Sequence, residues 1–279
     1  MELARGLDGR ALRALAELEQ RTIAVDGGRL KLEWSVLNTR AGVEVEDILW
    51  WEGDRLLGFL GLYSFGAPTV ELGGMVDPAA RRQGIASRLL DAALALCRER
   101  RYTSALLVTA GATDAGRCFA LGRGGRLHHS EHALVLLDEP TDGPTNPQVG
   151  LRRATESDAD VVASLLADPF GSHPSAVVAT LRSASSRTWI VTAAGRPVGT
   201  LRLERDGDTG AVYGFAVDPA YQGRGIGRDV LRRVCRMMRD EGATRIALEV
   251  EVDNERALNL YTSMGFVEVT TEHYYSLTL

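Results

Sequence analysis

The chain has 279 residues, 45% of them apolar and 25% charged, with a formal net charge of −5. That length suits two domains of about 140 residues, each large enough to bury its own core. The acidic balance excludes nucleic acid as the main partner, because phosphate binding needs a clustered basic surface.

From the amino terminus, Met1–Gln20 lacks the continuous apolar core of a signal peptide. No run approaches the roughly 20 apolar residues that cross a bilayer. A cytoplasmic protein with no membrane partner is expected. The cysteines Cys97, Cys118 and Cys235 read as reduced, buried thiols, not a disulfide framework. Trp50-Trp51 should alternate between core and surface. His128, His129 and His132 lack an accompanying carboxylate or cysteine set at ligand spacing, so no metal is expected. Asp138–Pro147 holds three prolines and one glycine and can form neither a helix nor a central strand. Residues 139–148 are therefore expected as a surface linker between domains at 1–138 and 149–279.

After the linker, residues 151–155 read as a strand, and Thr155-Glu-Ser-Asp158 opens a helix to about 166. A second helix is expected near 175–183, then strands at 188–193 and 198–204 joined by a turn, and a third at 210–217. From 223 to 240, Ile226, Val230, Val234 and Met237 share one helical face, and Glu241-Gly242 ends it. A strand at 245–252, a helix at 254–264 and strands at 266–271 and 274–277 close the chain. Tyr274-Tyr275 should alternate as Trp50-Trp51 does, with Tyr275 a candidate for the acceptor cleft. The pattern is α+β, each domain a mixed, largely antiparallel central sheet flanked by helices.

The halves repeat. Val76-Asp-Pro-Ala79 recurs as Val217-Asp-Pro-Ala220, an offset of 217 − 76 = 141, and the same shift carries Arg55 onto Arg196, Gly58 onto Gly199, Ile85 onto Ile226 and Gly124 onto Gly265. This is a duplicated domain.

Gln222-Gly-Arg-Gly-Ile-Gly227 lies between a strand and a helix. Close-set glycines let backbone amides approach a ligand, and the helix start adds free N–H groups and partial positive charge, which suits a pyrophosphate. A P-loop would need Gly-Lys-Ser/Thr, and a dinucleotide fingerprint starting at Gly223 would need glycine where Arg228 stands. Gln222, Gly225 and Gly227 match the Gln/Arg-x-x-Gly-x-Gly/Ala signature of the GNAT acetyltransferases, as Arg81, Gly84 and Ala86 do in the first copy. Asn254–Phe266 is similar to the family's downstream motif. The chain is thus identified as a tandem GNAT-like protein. The resemblance implies acetyl-CoA as co-substrate, held by Gln222, Gly223, Arg224, Gly225, Ile226, Gly227 and Arg228, by the strand backbone of Phe215, Ala216 and Val217, and by Asn254 and Ala257.

Amine acetylation needs a neutral amine, a polarised thioester carbonyl and a proton for the departing thiolate. In Leu248-Glu-Val-Glu-Val-Asp253 the acidic residues share one face. Glu251 and Asp253 read as a solvated face. Leu248-Glu-Val250 resembles the enzymes that acetylate ribosomal amino termini, which implies Glu249 as base. By resemblance Tyr261 protonates the thiolate; on its own pattern it is equally a core aromatic beside Leu258 and Phe266. In the first copy Val108, Thr113 and Ala120 stand where Glu249, Asn254 and Tyr261 stand in the second. That domain is expected to be catalytically degenerate, either binding CoA or walling the acceptor cleft. The expected reaction is direct acetyl transfer, in a ternary complex, to a small or peptidic primary amine by a monomer or homodimer. The tandem layout also resembles the mycothiol synthases. A non-catalytic acyl-CoA sensor is the reading from another class.

Overall fold

The repeat in the residues becomes a repeated order of elements in the computed structural model, which describes residues 1–64, 68–170, 174–182 and 186–279. The first copy runs β1 (Glu2–Ala4), α1 (Gly9–Asp26), α2 (Trp34–Thr39), β2 (Asp47–Glu52), β3 (Arg55–Tyr63), β4 (Thr69–Val76), α3 (Ile85–Glu99), β5 (Ser104–Ala110), α4 (Asp114–Gly122) and β6 (Arg126–Leu136). The second runs β7 (Val149–Arg153), α5 (Ala159–Phe170), α6 (Pro174–Arg182), β8 (Ser186–Ala193), β9 (Arg196–Asp206), β10 (Thr209–Val217), α7 (Ile226–Asp240), β11 (Arg245–Glu251), α8 (Glu255–Ser263) and β12 (Val267–Leu277). These elements form two units, Met1–Glu131 with Val269–Leu279, and His132–Glu268.

In the first unit β2, β3 and β4 pair antiparallel. β5 lies parallel to β4 because α3 carries the chain back across the sheet before it re-enters. The apolar stripe of α3, from Ile85 through Leu89, Leu90 and Ala93 to Cys97, packs on Leu60, Leu62, Leu72 and Leu107. Leu15 and Leu18 of α1 cover the other face through Leu49, Phe59 and Met75. In the second unit β7 to β10 are antiparallel, and β11 joins β10 in parallel across α7. Each unit is thus a mixed sheet flanked by helices.

Four expectations are corrected. The final residues form one strand, not two, and Glu272–Leu277 of it pairs antiparallel with β5, so the segment expected in the second domain packs in the first unit. Tyr274 and Tyr275 are both buried there, and Tyr275 belongs to the core, not to a cleft. α7 begins at Ile226, not 223, because Gly225 adopts a left-handed φ of +76° as its cap; its core face ends on Met238, with Met237 only half-buried. Cys118 is exposed, unlike Cys97 and Cys235, whose thiols burial pushes up to about 11 and about 12. Among the described residues no helix is long and apolar enough to cross a membrane.

Candidate active site

The second unit opens a wedge in its sheet. Among the described residues the β10–β11 ladder pairs Thr209–Val212 with Arg245–Leu248 and goes no further, so Tyr213–Val217 and Glu249–Glu251 diverge. A bulge accentuates the divergence. Tyr213 pairs with Arg202 and Ala216 with Thr200, leaving Gly214 and Phe215 opposite Leu201 alone. Gly214 has φ +53°, a conformation that costs an L side chain about 1 kcal/mol or more. No such shift occurs in β4, which pairs continuously with β3 from Leu72 to Val76.

At the end of β10 the loop turns through Gly223 and Gly225, both at φ +76°, into the start of α7. Gln222 fixes that loop: its Nε2 donates to Val217 O at 2.7 Å, and its Oε1 accepts from Arg256 Nη1 at 2.6 Å. Arg224 donates to Ala220 O at 2.9 Å and lies 5.1 Å over the Tyr221 ring. Arg228 reaches Ser263 Oγ at 3.3 Å. Ile226 is buried, and a β-carbon on Gly227 would lie 3.3 Å from Leu260 Cδ2 and 3.9 Å from Phe215 Cζ. The loop, the bulge and α8 therefore meet at Gly227. Ala216 is buried, and Val217 and Ala257 are half-buried.

Asn254 caps α8, its Oδ1 accepting from Ala257 N at 3.1 Å. Seven residues on, Tyr261 is 7% exposed, its ring centroid 6.0 Å from that of Phe266. Burial pushes its phenol up to about 12, so it stays protonated throughout the neutral range. Packing against Phe266 and a part in the chemistry are compatible. On β11, Leu248 and Val250 point into the core while Glu249 is half-buried and Glu251 exposed; Asp253 beyond it is also exposed. Half-burial thus sets Glu249 apart from the two exposed acids on the same face. Sequence reasoning missed Gly214, although a lone glycine inside a strand is a bulge signal, and Arg256.

The first unit keeps the loop and loses the rest. Gly84 has φ +82° at the start of α3, and Arg82, where the second copy has Gly223, takes φ +64° despite its side chain. Arg81 Nε donates to Val76 O at 3.3 Å, the counterpart of the Gln222 tether, and its guanidinium grips Asp26 at 2.8 and 2.5 Å. A cavity of about 820 Å³ lies in this wedge, lined by Gly73–Val76, Val108–Ala110, Arg81 and Gly84. Buried Glu272, from the carboxyl-terminal strand, forms part of its wall with Arg29 at 3.5 Å and Lys31 at 4.0 Å. Val108 and Thr113 also line it; Ala120 is fully buried.

The acetyltransferase (GNAT) family model matches residues 14–122 and again 159–266. A mycothiol acetyltransferase of Catenulispora acidiphila is 31% identical over 258 residues, covering 81% of this chain and 78% of its own. That of Thermobispora bispora is 30% identical, covering 96% and 95%. Among solved structures, a GCN5-related N-acetyltransferase from Sphaerobacter thermophilus superposes with a TM-score of 0.80 at 16% identity, covering 95% of this chain and 91% of that one. A tandem GNAT protein from the clavulanic acid biosynthesis pathway gives 0.71 at 17%, covering 99% and 96%. Two matched copies, whole-length relatives and the wedge geometry agree: the chain belongs to the GNAT family, as an acetyl-CoA-dependent N-acetyltransferase with two such domains in tandem.

Proposed function

We propose that acetyl transfer takes place in the second unit, by direct attack of a primary amine on acetyl-CoA. What supports this is a difference between the copies: Phe215 of the bulge, Ile226 after the loop and Tyr261 belong to one apolar cluster in the second, whereas the first has a regular β4 and alanine at position 120. The pyrophosphate sits on the amides at the start of α7, with Arg228 and Arg256 at the rim. The pantetheine arm runs along Phe215–Val217, where bulge amides polarise the thioester carbonyl, and Asn254 and Ala257 flank it. Glu249 takes a proton from the ammonium, directly or through water. The amine nitrogen bonds to the carbonyl carbon, the C–S bond breaks, Tyr261 supplies hydrogen-bonding and then a proton to the leaving sulfur, and the second proton lost by the nitrogen restores the phenol through water. Because the curated relatives are named mycothiol acetyltransferases, a cysteinyl amino-sugar is the first acceptor to test.

The test is release of free CoA thiol from acetyl-CoA by the full chain with cysteinyl amino-sugars, aminoglycosides, polyamines, amino acids and short peptides. Release with one class, lost or greatly slowed in Tyr261→Phe, supports the assignment. Silence with every amine despite acetyl-CoA binding leaves a sensor, another acceptor class or another acyl group as the readings. The 820 Å³ cavity favours one further assignment, that the first unit holds an acyl-CoA without turning it over. Calorimetry should then count two acetyl-CoA sites per chain, and one in Gly84→Glu.

A further inference from the structure

The segment 139–148 has the composition of a free linker, yet it is clamped along α7. Arg232 is 3% exposed, a burial that an arginine adopts only when its donors are engaged. Its Nε donates to Thr141 O at 2.9 Å and its Nη1 to Pro144 O at 3.3 Å. A β-carbon on Gly143 would lie 2.9 Å from the guanidinium carbon, so any larger residue there would displace the Arg232 head group. Arg239 donates to Asp138 O at 2.9 Å and Leu136 O at 3.0 Å, Arg233 to Val149 O at 2.9 Å, and Arg236 pairs with Asp142. Three arginines on one helix, Arg232, Arg236 and Arg239, thus hold carbonyls and one carboxylate of residues 138–147, which form no helix or strand, and Arg233 holds the first residue of the strand that follows.

The same segment ends α8. The carbonyls in the last turn of a helix need partners from outside it. Here Thr141 N donates to Met264 O at 3.1 Å, just beyond the helix, while Met264 N and Phe266 N both return to Tyr261 O at 3.0 and 3.1 Å. Leu136 Cδ1 lies 3.3 Å from where a β-carbon on Gly265 would stand. The segment therefore ties α7, whose first turn begins at the glycine loop, to the turn that carries Tyr261.

We propose that residues 138–147 are a strap that sets the position of Tyr261 in the wedge, with Arg232 as its positioning residue. The catalytic consequence rests on Tyr261 being the acid; the positional one does not. A displacement of about 1 Å at a reacting group costs up to 100-fold in rate. A strap that only joined two domains would leave the Tyr261 environment untouched.

Two variants separate the strap from general stability. Arg232→Met keeps the apolar stem and removes the guanidinium; Thr141→Pro removes one N–H and nothing on α7. Each is made in the full chain carrying 3-fluorotyrosine, and the Tyr261 fluorine resonance, assigned by its loss in Tyr261→Phe, is followed with pH. Loosening admits water, so its titration midpoint should fall in both variants toward that of exposed tyrosines. Turnover should fall at least ten-fold with the KM for acetyl-CoA within two-fold of the parent, and Arg232→Lys should restore part of it. An unchanged Tyr261 midpoint in folded Thr141→Pro and Arg232→Met overturns the strap. A lowered midpoint with unchanged kcat upholds the strap and removes Tyr261 from the chemistry instead.

Discussion

Tyr261→Phe deletes one oxygen and keeps the ring 6.0 Å from Phe266, so it tests chemistry with little cost to packing. With the phenol at about 12 and a thiol ordinarily near 8.5, complete proton transfer to a free thiolate is uphill by (12 − 8.5) × 1.36, or about 5 kcal/mol. The gap narrows inside the wedge, because burial raises thiols as well; it pushes Cys235 up to about 12. The phenol therefore acts first as a hydrogen-bond donor to developing charge on sulfur. A hydrogen bond to a charged group contributes about 1.5–3 kcal/mol, which corresponds to roughly 10- to 160-fold in kcat. The measurement is steady-state thiol release with the best acceptor at saturating acetyl-CoA, from pH 6 to 10. The variant should run parallel to the parent across that range, since Tyr261 does not ionise within it. A loss under about three-fold, or an alkaline limb near pH 10 that disappears in the variant, would refute this account of Tyr261.

Other positions give independent tests. Gly214→Val forces a β-branched residue to φ +53°, and should cost about 1–3 kcal/mol of stability in urea unfolding and lower kcat more than it raises KM. Gly225→Ala meets no atom within 4 Å but must adopt φ +76°, so the KM for acetyl-CoA should rise several-fold with kcat nearly unchanged. Asp47 is fully buried beside Arg40, and its carboxyl is raised to about 6, chiefly by burial. A carboxyl raised in the folded state stabilises most below its unfolded value near 3.9, and the gain is lost as pH rises through 6. Denaturant midpoints should thus fall between pH 4 and 7, and Asp47→Asn should flatten that slope; a parallel slope in the variant would exclude Asp47 as its source.

Much of this was legible in the residues because it is carried by local rules. The offset of 141 located both glycine loops, and the alternation of Leu248–Asp253 set Glu249 apart from its core-facing neighbours. The bulge at Gly214–Phe215 was less visible, since it depends on pairing with β9, which no local pattern records. The hold of α7 on residues 138–147 was hidden for a different reason. Prolines and a glycine exclude helix and central strand, but they leave every carbonyl available to arginines about 90 residues away, as Arg232 shows with Thr141. For the last strand, alternating residues in Val267–Leu277 announce an extended segment and say nothing about which sheet accepts it.

The placement of Val269–Leu279 in the first unit has a consequence for how the molecule is made. During synthesis the first 131 residues emerge with β5 still lacking its antiparallel neighbour and with Glu272 missing from the cavity wall. An unpaired strand edge is exposed to wrong partners for as long as translation of the second copy takes. Strand β12 therefore reaches the first unit only after the second unit has been made, so neither half can be excised as a finished domain by cutting at residues 138–147.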